Sequence, residues 1–363
     1  MTHAARVTTV IGVGAVGCHL ANGIRRQLPD LNFRFIDTDR YALIAYPEEE
    51  RLLIGRAETE GRGTGKRPEI GRRAAEEAEE EIRRLIGETD VAMVTASFGG
   101  GTGAGAGPRV ARFARESSGT TILAAVDPFA FESSAKVEQA CEALLLAGDQ
   151  AEAVVRIPCT LVPDDRARDL SFNDALRAAE THAIEAVVAL VQMVMNPGML
   201  RLDFGDLRRV LCEPGGAIVG TGRAAGDRRV ENAIRQACNS SFLDAYRIHA
   251  AANIVLHVTG GEMLSLSEVQ DGARAINGIS QGDYMLSVDV RPELSDEIAA
   301  TVLLSGFSAD SDDAQAPPEQ DNAAPPGAFV YEGTNIDVPT FMRRARNERP
   351  RGGRFSSAYN LGR

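Results

Sequence analysis

The chain has 363 residues, 44% hydrophobic and 25% charged, with a formal net charge of −12. This length predicts two domains, and the acidic balance argues against general nucleic-acid binding. No uninterrupted apolar run reaches membrane-spanning length and the start MTHAARVTTVIGVG lacks a leader pattern, while Cys18, Cys141, Cys159, Cys212 and Cys238 are scattered without a CxxC pair; a soluble cytoplasmic protein without a zinc site or disulfide framework is expected.

Residues 7–14, VTTVIGVG, read as a buried strand: a β-branched run that ends in glycine. GVGAVG then sets Gly12, Gly14 and Gly17 in GxGxxG spacing ahead of a helical stretch, HLANGIRRQL. A second strand, NFRFIDTD, closes on Asp37 and Asp39. That arrangement fits a dinucleotide-binding βαβ unit and an NAD-dependent oxidoreductase. By itself it says only that phosphate can sit at a helix N-terminus, or that a strand turns tightly into a helix. Residues 76–84, EEAEEEIRR, read as a solvated helix face with Glu-to-Arg pairs.

A third strand, DVAMVTASF at 90–98, runs into FGGGTGAGAGP, where six of eleven residues are glycine. The helical pattern PRVARFARE follows, so GGGTGAG is expected to be a strand-to-helix loop. Its bare backbone can turn N–H groups onto phosphate oxygens, and the helix dipole adds to the attraction. No GK[ST] follows, so it is not a Walker loop. Two such loops on neighbouring strands imply one nucleotide held from two sides, which weakens the NAD alternative.

Further along, a long helix is expected from about Arg168 to Asn196, stopped by Pro197. Its stripe of Ala183, Val187, Leu190 and Val194 is expected to pack between domains. Residues 216–306 alternate strands (GAIVGTG, NIVLHVTG, MLSVDV, TVLLSGF) with helices (RVENAIRQAC, LSEVQDGARAI). His3, His182, His249 and His257 show no partner spacing, and no metal-ligand cluster is evident. Residues 308–327 hold acids, Pro, Ala and Gln with no basic residue, a composition for a disordered linker. The segment NIDVPTFMRRAR and an Arg- and Gly-rich end follow.

GGGTGAGAGP resembles the signature loop of the tubulin/FtsZ family, and the likeness extends along almost the whole chain. VIGVGAVGCHL, IDTD and GRGTGKRPEIGRRAAE are similar to the family's first three nucleotide loops. VDPFAFESSAK resembles the ribose segment, LSFNDALRAAE the start of the central helix, GMLRLDFGDL the synergy loop and NIDVPTFMRR the C-terminal peptide.

The resemblance implies an α/β protein with a Rossmann-like GTP-binding domain and long central helix over 1–196. A smaller α/β domain over 197–307, an acidic linker over 308–334 and a partner-binding tail over 335–363 complete it. It implies GTP or GDP at Gly12, Gly14, Gly17, Cys18, His19, Asp39, Thr64, Gly65, Gly99, Gly100, Gly101, Thr102, Gly103, Ala104, Glu132, Lys136, Leu176 and Glu180. Mg²⁺ would travel with the nucleotide, held by phosphate and water. Subunits would stack head to tail, with Asp203 and Asp206 of one polarising water at the nucleotide of the next. From the residues alone, either Asp reads as a helix cap ahead of LRRVL.

Ile336, Asp337, Val338, Pro339, Phe341 and Met342 would engage a membrane-tethering or division partner. No nucleic acid and no direct membrane span is expected.

Several positions depart from the family pattern. Val16, Cys18 and His19 interrupt the first loop, where the family has glycines followed by Asn. Ala104 replaces a hydroxyl residue and Lys136 an Arg. Leu176 replaces a stacking Phe, and Glu180 replaces an Asn or Asp that reads guanine. Cys159 and Arg201 each replace an Asn. A division GTPase is the first reading; a divergent paralogue with weak or no hydrolysis, acting as a structural or regulatory filament subunit, is the alternative.

Overall fold

The computed structural model describes residues 7–129, 132–157, 159, 171–195, 204–213, 216–238, 251–279, 283–307, 330–331 and 334–335. The expected β-branched run forms β1 (Thr8–Val13), buried at every position, as befits a strand covered on both faces. Parallel to it lie β2 (Asn32–Asp37) on one side and β4 (Thr89–Ser97) on the other. Beyond β2 comes the short β3 (Arg51–Leu53); beyond β4 come β5 (Ser118–Val126) and β6 (Ala153–Ile157). The order β3-β2-β1-β4-β5-β6 means that the chain builds outward in one direction from β1, then in the other from β4. That reversal opens a crevice at the carboxyl ends of β1 and β4, where open α/β sheets bind ligands.

Helix α1 (Gly14–Gln27) covers one sheet face together with the long helix α8 (Phe172–Met195). The other face carries α4 (Pro68–Glu77), α5 (Glu79–Ile86), α6 (Gly101–Ser117) and α7 (Ser134–Gln150). Two short helices, α2 (Arg40–Leu43) and α3 (Arg56–Thr59), sit in the connections after β2 and β3. On α5, Arg83 pairs with Glu79 at 2.7 Å, one of the surface pairs expected there.

The glycine-rich stretch departs from expectation. Helix α6 begins at Gly101, so only Gly99 and Gly100 are loop and the remaining glycines lie in the helix. Glycine is a poor helix former, so packing must override propensity. A Cβ on Gly101 would lie 2.2 Å from Thr64 Oγ1, and one on Gly105 1.9 Å from the Pro68 carbonyl oxygen. A Cβ on Gly103 would lie 2.2 Å from the Ser97 carbonyl oxygen, and one on Gly107 2.9 Å from Ala96 Cβ. Each pair is spaced i, i+4 and so shares one side of the helix. One bare stripe meets α4 and the connection before it; the other meets β4.

The C-terminal half adds β7 (Ala217–Ala225), β8 (Ala251–Gly260), β9 (Asp283–Val290) and β10 (Glu297–Phe307), with α10 (Arg229–Cys238) and α11 (Leu266–Ile279). Its strands continue the first sheet: β7 pairs parallel to β6 through Val155–Ala217 and Arg156–Ile218, giving ten strands in one sheet. Ala183, Val187, Leu190 and Val194 of α8 share a buried cluster with β1–β6 residues and with Val219, Val255 and Leu303. Although α8 is long and apolar enough to cross a membrane, most of its apolar window is buried inside the protein.

Between these halves, α9 (Phe204–Leu211) packs Leu207, Val210 and Leu211 into the same cluster. Where the expected linker meets the tail, Val330–Tyr331 pairs antiparallel with Thr334–Asn335, a short ladder in a stretch expected to be without structure. The tail residues Ile336, Asp337, Val338, Pro339, Phe341 and Met342 lie outside the described residues.

Candidate functional site

Helices α1 and α6 start side by side at the carboxyl ends of β1 and β4. Gly14 opens α1 with φ of 75°, and a Cβ there would come within 3.0 Å of the Gly103 backbone nitrogen. The first N–H groups of a helix have no partner within it. Here the N-caps are Val13 and Gly100; neither helix has a side-chain cap hydrogen bond or an acidic residue in its first turn. Two uncapped, positive helix ends thus converge on one crevice, a setting suited to phosphate.

The glycines around the crevice divide by what surrounds them. A Cβ on Gly12 would meet Cys18 Cα at 2.6 Å, and one on Gly17 would meet the Thr95 carbonyl oxygen at 2.2 Å. These two let α1 settle onto the sheet. A Cβ on Gly99 would approach Pro128 to 3.2 Å, whereas Gly100 and Gly65 have no heavy atom within 4 Å of that position. Gly100 and Gly65 therefore face open space.

The nearby polar groups are largely engaged with one another. Thr38 Oγ1 and Thr102 Oγ1 share a 2.8 Å hydrogen bond, tying the end of β2 to the start of α6. Thr64 is buried beneath Gly101. Asp39 caps α2, accepting from the Tyr41 backbone N–H at 2.8 Å. Asp37 accepts from the Thr38 and Asp39 N–H groups, and burial pushes its carboxyl up to about 6. Lys136 pairs with Glu132, and Gln139 Nε2 donates to the Gly100 carbonyl at 3.2 Å. Below this segment, Arg156 Nη2 donates to the buried Asp127 carboxylate at 2.8 Å.

Two of the expected contact residues turn their side chains into the protein. The Cys18 side chain points away from the crevice into the core, fully buried, with its thiol near the Gly12 and Ile36 carbonyls; burial raises its pKa strongly. Only its backbone is left to approach a ligand there. The Ala104 methyl is buried among the helices on the opposite sheet face, and its N–H already donates to the Gly100 carbonyl at 3.0 Å. Ala104 begins the internal bonding of α6.

Asp206 lies elsewhere. It is exposed in the first turn of α9, and α9 is anchored by Arg208, whose Nε donates to Glu152 Oε1 at 3.0 Å. Glu152 directly precedes β6, and its other oxygen accepts from Thr121 N–H near the start of β5. Helix α9 therefore sits at the amino ends of the parallel strands, while the glycine loops sit at their carboxyl ends. With β6 alone spanning ~16 Å, Asp206 cannot reach the crevice of its own chain. Asp203 and Arg201 lie outside the described residues.

The domain models and the solved folds agree with this layout. Residues 7–160 match the model of the "Tubulin/FtsZ family, GTPase domain", and residues 215–308 that of the "FtsZ family, C-terminal domain". The chain belongs to the tubulin/FtsZ family. It is 29% identical over 339 residues to the cell division protein FtsZ of Coxiella burnetii, covering 92% of this chain and 87% of that one. Among solved structures, an empty FtsZ dimer of M. jannaschii superposes with a TM-score of 0.75 at 27% identity, covering 85% of this chain and 90% of the other. A GTPγS-bound protofilament of CetZ2 from Haloferax volcanii shares the fold, with a TM-score of 0.66 at 20% identity, over 93% and 97% of the two chains. Family membership sets aside the dinucleotide oxidoreductase alternative.

Against the family pattern, the side of the crevice formed by α1 and α8 is distinctive. A Cβ on Gly23 would meet Ile184 Cδ1 at 2.3 Å, so the two helices pack closely there. One turn earlier on each, His19 Nε2 lies 2.5 Å from Glu180 Oε1. The matching order shows that α1 and α8 run the same way, with their first turns toward the crevice. Leu176 lies a turn before Glu180 and is half-buried. Phe172 lies one turn further and is 63% exposed. Sequence reading passed over Phe172, although its spacing of four from Leu176 puts both on one helix side. It also missed the Asp127–Arg156 pair, whose members are 29 residues apart and meet only because β5 and β6 are neighbours.

Proposed function

We propose that this member of the family binds GTP and GDP in the crevice between α1 and α6, polymerises head to tail and hydrolyses GTP between subunits. Its cellular role would be in prokaryotic cell division, in the cytoplasm at the division site. The single observation that carries this reading is the placement of the glycine loops and of Asp206 at opposite ends of the parallel strands. A chain whose phosphate cradle and Asp206 lie at opposite strand ends completes the site by stacking on a second copy, and such heterologous stacking grows a filament.

In this reading the α1 and α6 first turns hold the phosphates, with Gly100 and Gly65 leaving the approach clear. Glu132 and Lys136 hold the ribose, which requires their mutual ion pair to rearrange, and the α1–α8 side receives the base. Asp206 of the next subunit, with Asp203, accepts a proton from the attacking water and orients it. Among the described residues no group of three His, Cys, Asp or Glu side chains is placed to hold a metal. Mg²⁺ would be held chiefly by triphosphate oxygens and water, where it neutralises phosphate charge.

The reading with little hydrolysis draws support from His19–Glu180 and Lys136–Glu132, whose polar groups satisfy each other before any ligand arrives. Phosphate release from GTP, measured against protein concentration, decides between the two. A rate per subunit that rises with concentration and saturates supports the shared site; no release above background, with GTP bound and filaments formed, supports the structural subunit. The tail segment 335–346 would then tether the filament through Val338, Phe341 and Met342 to a partner at the membrane.

A further inference from the structure

On the C-terminal half, Met263 and Leu266 stand in solvent, 78% and 74% exposed. They lie on the connection from β8 to α11, and that connection is firmly held. Arg229, buried at the start of α10, donates to the Glu268 carboxylate at 2.7 Å, to Asp296 at 2.8 Å and to the Met263 carbonyl at 3.3 Å. Ser265 Oγ accepts from the Glu268 N–H, and Glu268 accepts from the Ser265 N–H, a capping box that fixes the first turn of α11. A Cβ on Gly261 would fall 2.2 Å from the Ser295 carbonyl oxygen, so the connection also presses on the turn before β10. The fold thus displays two large apolar side chains from a fixed backbone, an arrangement that favours burial by a partner. The corner is also acidic. One guanidinium faces two carboxylates, Glu268 and Asp296, and the exposed Glu262 adds a third. Asp227 and Arg228, just before Arg229, cancel each other.

We propose that this corner receives the chain's own tail, residues 335–354, an inference that does not rest on the nucleotide reading. Two features of the chain select that occupant. The first is charge: residues 341–354 carry six Arg and one Glu beside Phe341 and Met342. Such a segment brings an apolar pair to Met263 and Leu266 and cations to Glu262 and Asp296. The second is reach. Strand β10 pairs Ile298 with Gly260 at the corner and runs antiparallel to β8, so its eleven residues end at Phe307, about 35 Å away. Residues 308–329 span up to ~70 Å when extended, about twice that distance. Tethering of this kind supplies an effective concentration of about 1 mM, so a contact with a Kd of about 0.1 mM is occupied about nine times in ten. The docked tail covers Phe341 and Met342, and a partner that uses the same side chains must displace it. The corner therefore sets how readily the tail is caught.

The chain has no Trp, so Phe341→Trp places a single indole reporter in the tail. Its emission is measured on the full-length chain without nucleotide and on a synthetic peptide of residues 335–354 carrying the same change. Emission from the chain should lie to the blue of the peptide's, by an amount that dilution does not alter. Met263→Ser combined with Leu266→Ser should return it to the peptide's value, and Glu262→Lys should return it part of the way. Hydrogen exchange is the second readout and keeps the native Phe341 in the reference chain. The amides of residues 262–267 should exchange about threefold or more faster in Phe341→Ala than in wild type. Peptide-like emission together with equal exchange rates overturns the proposal. So does a shift that grows with protein concentration, which assigns the corner to a second copy. A shift that survives the double serine variant puts the tail elsewhere and overturns it as well. The measurements involve neither nucleotide nor a membrane partner, so failure here is distinct from failure of the function proposed above.

Discussion

Adding a single methyl group to either of two glycines in one short stretch should have opposite consequences. At Gly105 the new Cβ would fall 1.9 Å from the Pro68 carbonyl oxygen and 2.7 Å from the Arg72 nitrogen, both backbone atoms of α4. Ordinary contact lies near ~3.5 Å, so α4 or α6 must retreat by more than ~1 Å through a packed core. Overpacking of this kind costs about 1–3 kcal/mol or more, against a helix-propensity gain of about 0.5–1 kcal/mol for Gly→Ala. Gly105→Ala should therefore lower the unfolding midpoint by several degrees. Gly100 has φ of −113° and ψ of 156°, open to any residue, and no heavy atom within 4 Å of an added Cβ. Gly100→Ala should leave the midpoint unchanged or slightly higher, because it restricts the unfolded chain. Its methyl should instead obstruct a phosphate and forfeit one charge-assisted hydrogen bond, about 1.5–3 kcal/mol, or roughly 10–150-fold in GDP affinity. Gly101→Ala would not separate the effects, since its Cβ would strike Thr64 Oγ1 and Arg67 N. Calorimetric melting without nucleotide and GDP titration measure the two quantities. A Gly100→Ala chain that melts like wild type and binds GDP with wild-type affinity would refute the placement of the phosphates at the start of α6. A Gly105→Ala chain with an unchanged midpoint would refute the packing explanation for the glycines.

Other perturbations test other parts of the reading. Asp206→Ala should abolish phosphate release, leave GTP affinity within about twofold, and poison wild-type filaments when mixed, as followed by light scattering. Phe172→Ala should weaken GTP, ITP and ATP alike by about 1–3 kcal/mol in direct titrations, since stacking is indifferent to base edge; a loss confined to GTP would contradict a stacking role. Asp37, raised from 3.8 to about 6 by burial, holds its proton in the folded chain where the unfolded chain has lost it. Unfolding free energy should consequently fall as pH rises from about 4 to about 6, by at most about 3 kcal/mol from this group, and Asp37→Asn should flatten that fall in denaturant titrations across the window. Phe341→Ala should abolish capture by a membrane-tethering partner while filaments form normally; retained capture, lost instead on Arg343→Gln, would make the tail an electrostatic patch.

By itself, the sequence settled what depends on neighbours along the chain. The β-branched run at 8–13, the glycines at the ends of β1 and β4 and the apolar stripe of α8 are local patterns with local causes, and each appears where the sequence set it. The strand–glycine–helix pattern was enough to name phosphate as the ligand chemistry. Tertiary structure decided which glycines face a ligand and which face protein. Gly101, Gly103, Gly105 and Gly107 look alike in sequence to Gly100, yet they are helical and bare because α4 and β4 press against them. It likewise turned Cys18 into the core and consumed the Ala104 N–H inside α6. The meetings of Asp127 with Arg156 and of His19 with Glu180 required strand order and helix direction, which no local pattern encodes. Most consequential, no local pattern places Asp206 and the glycine loops at opposite ends of the parallel strands. Strand polarity fixes that separation.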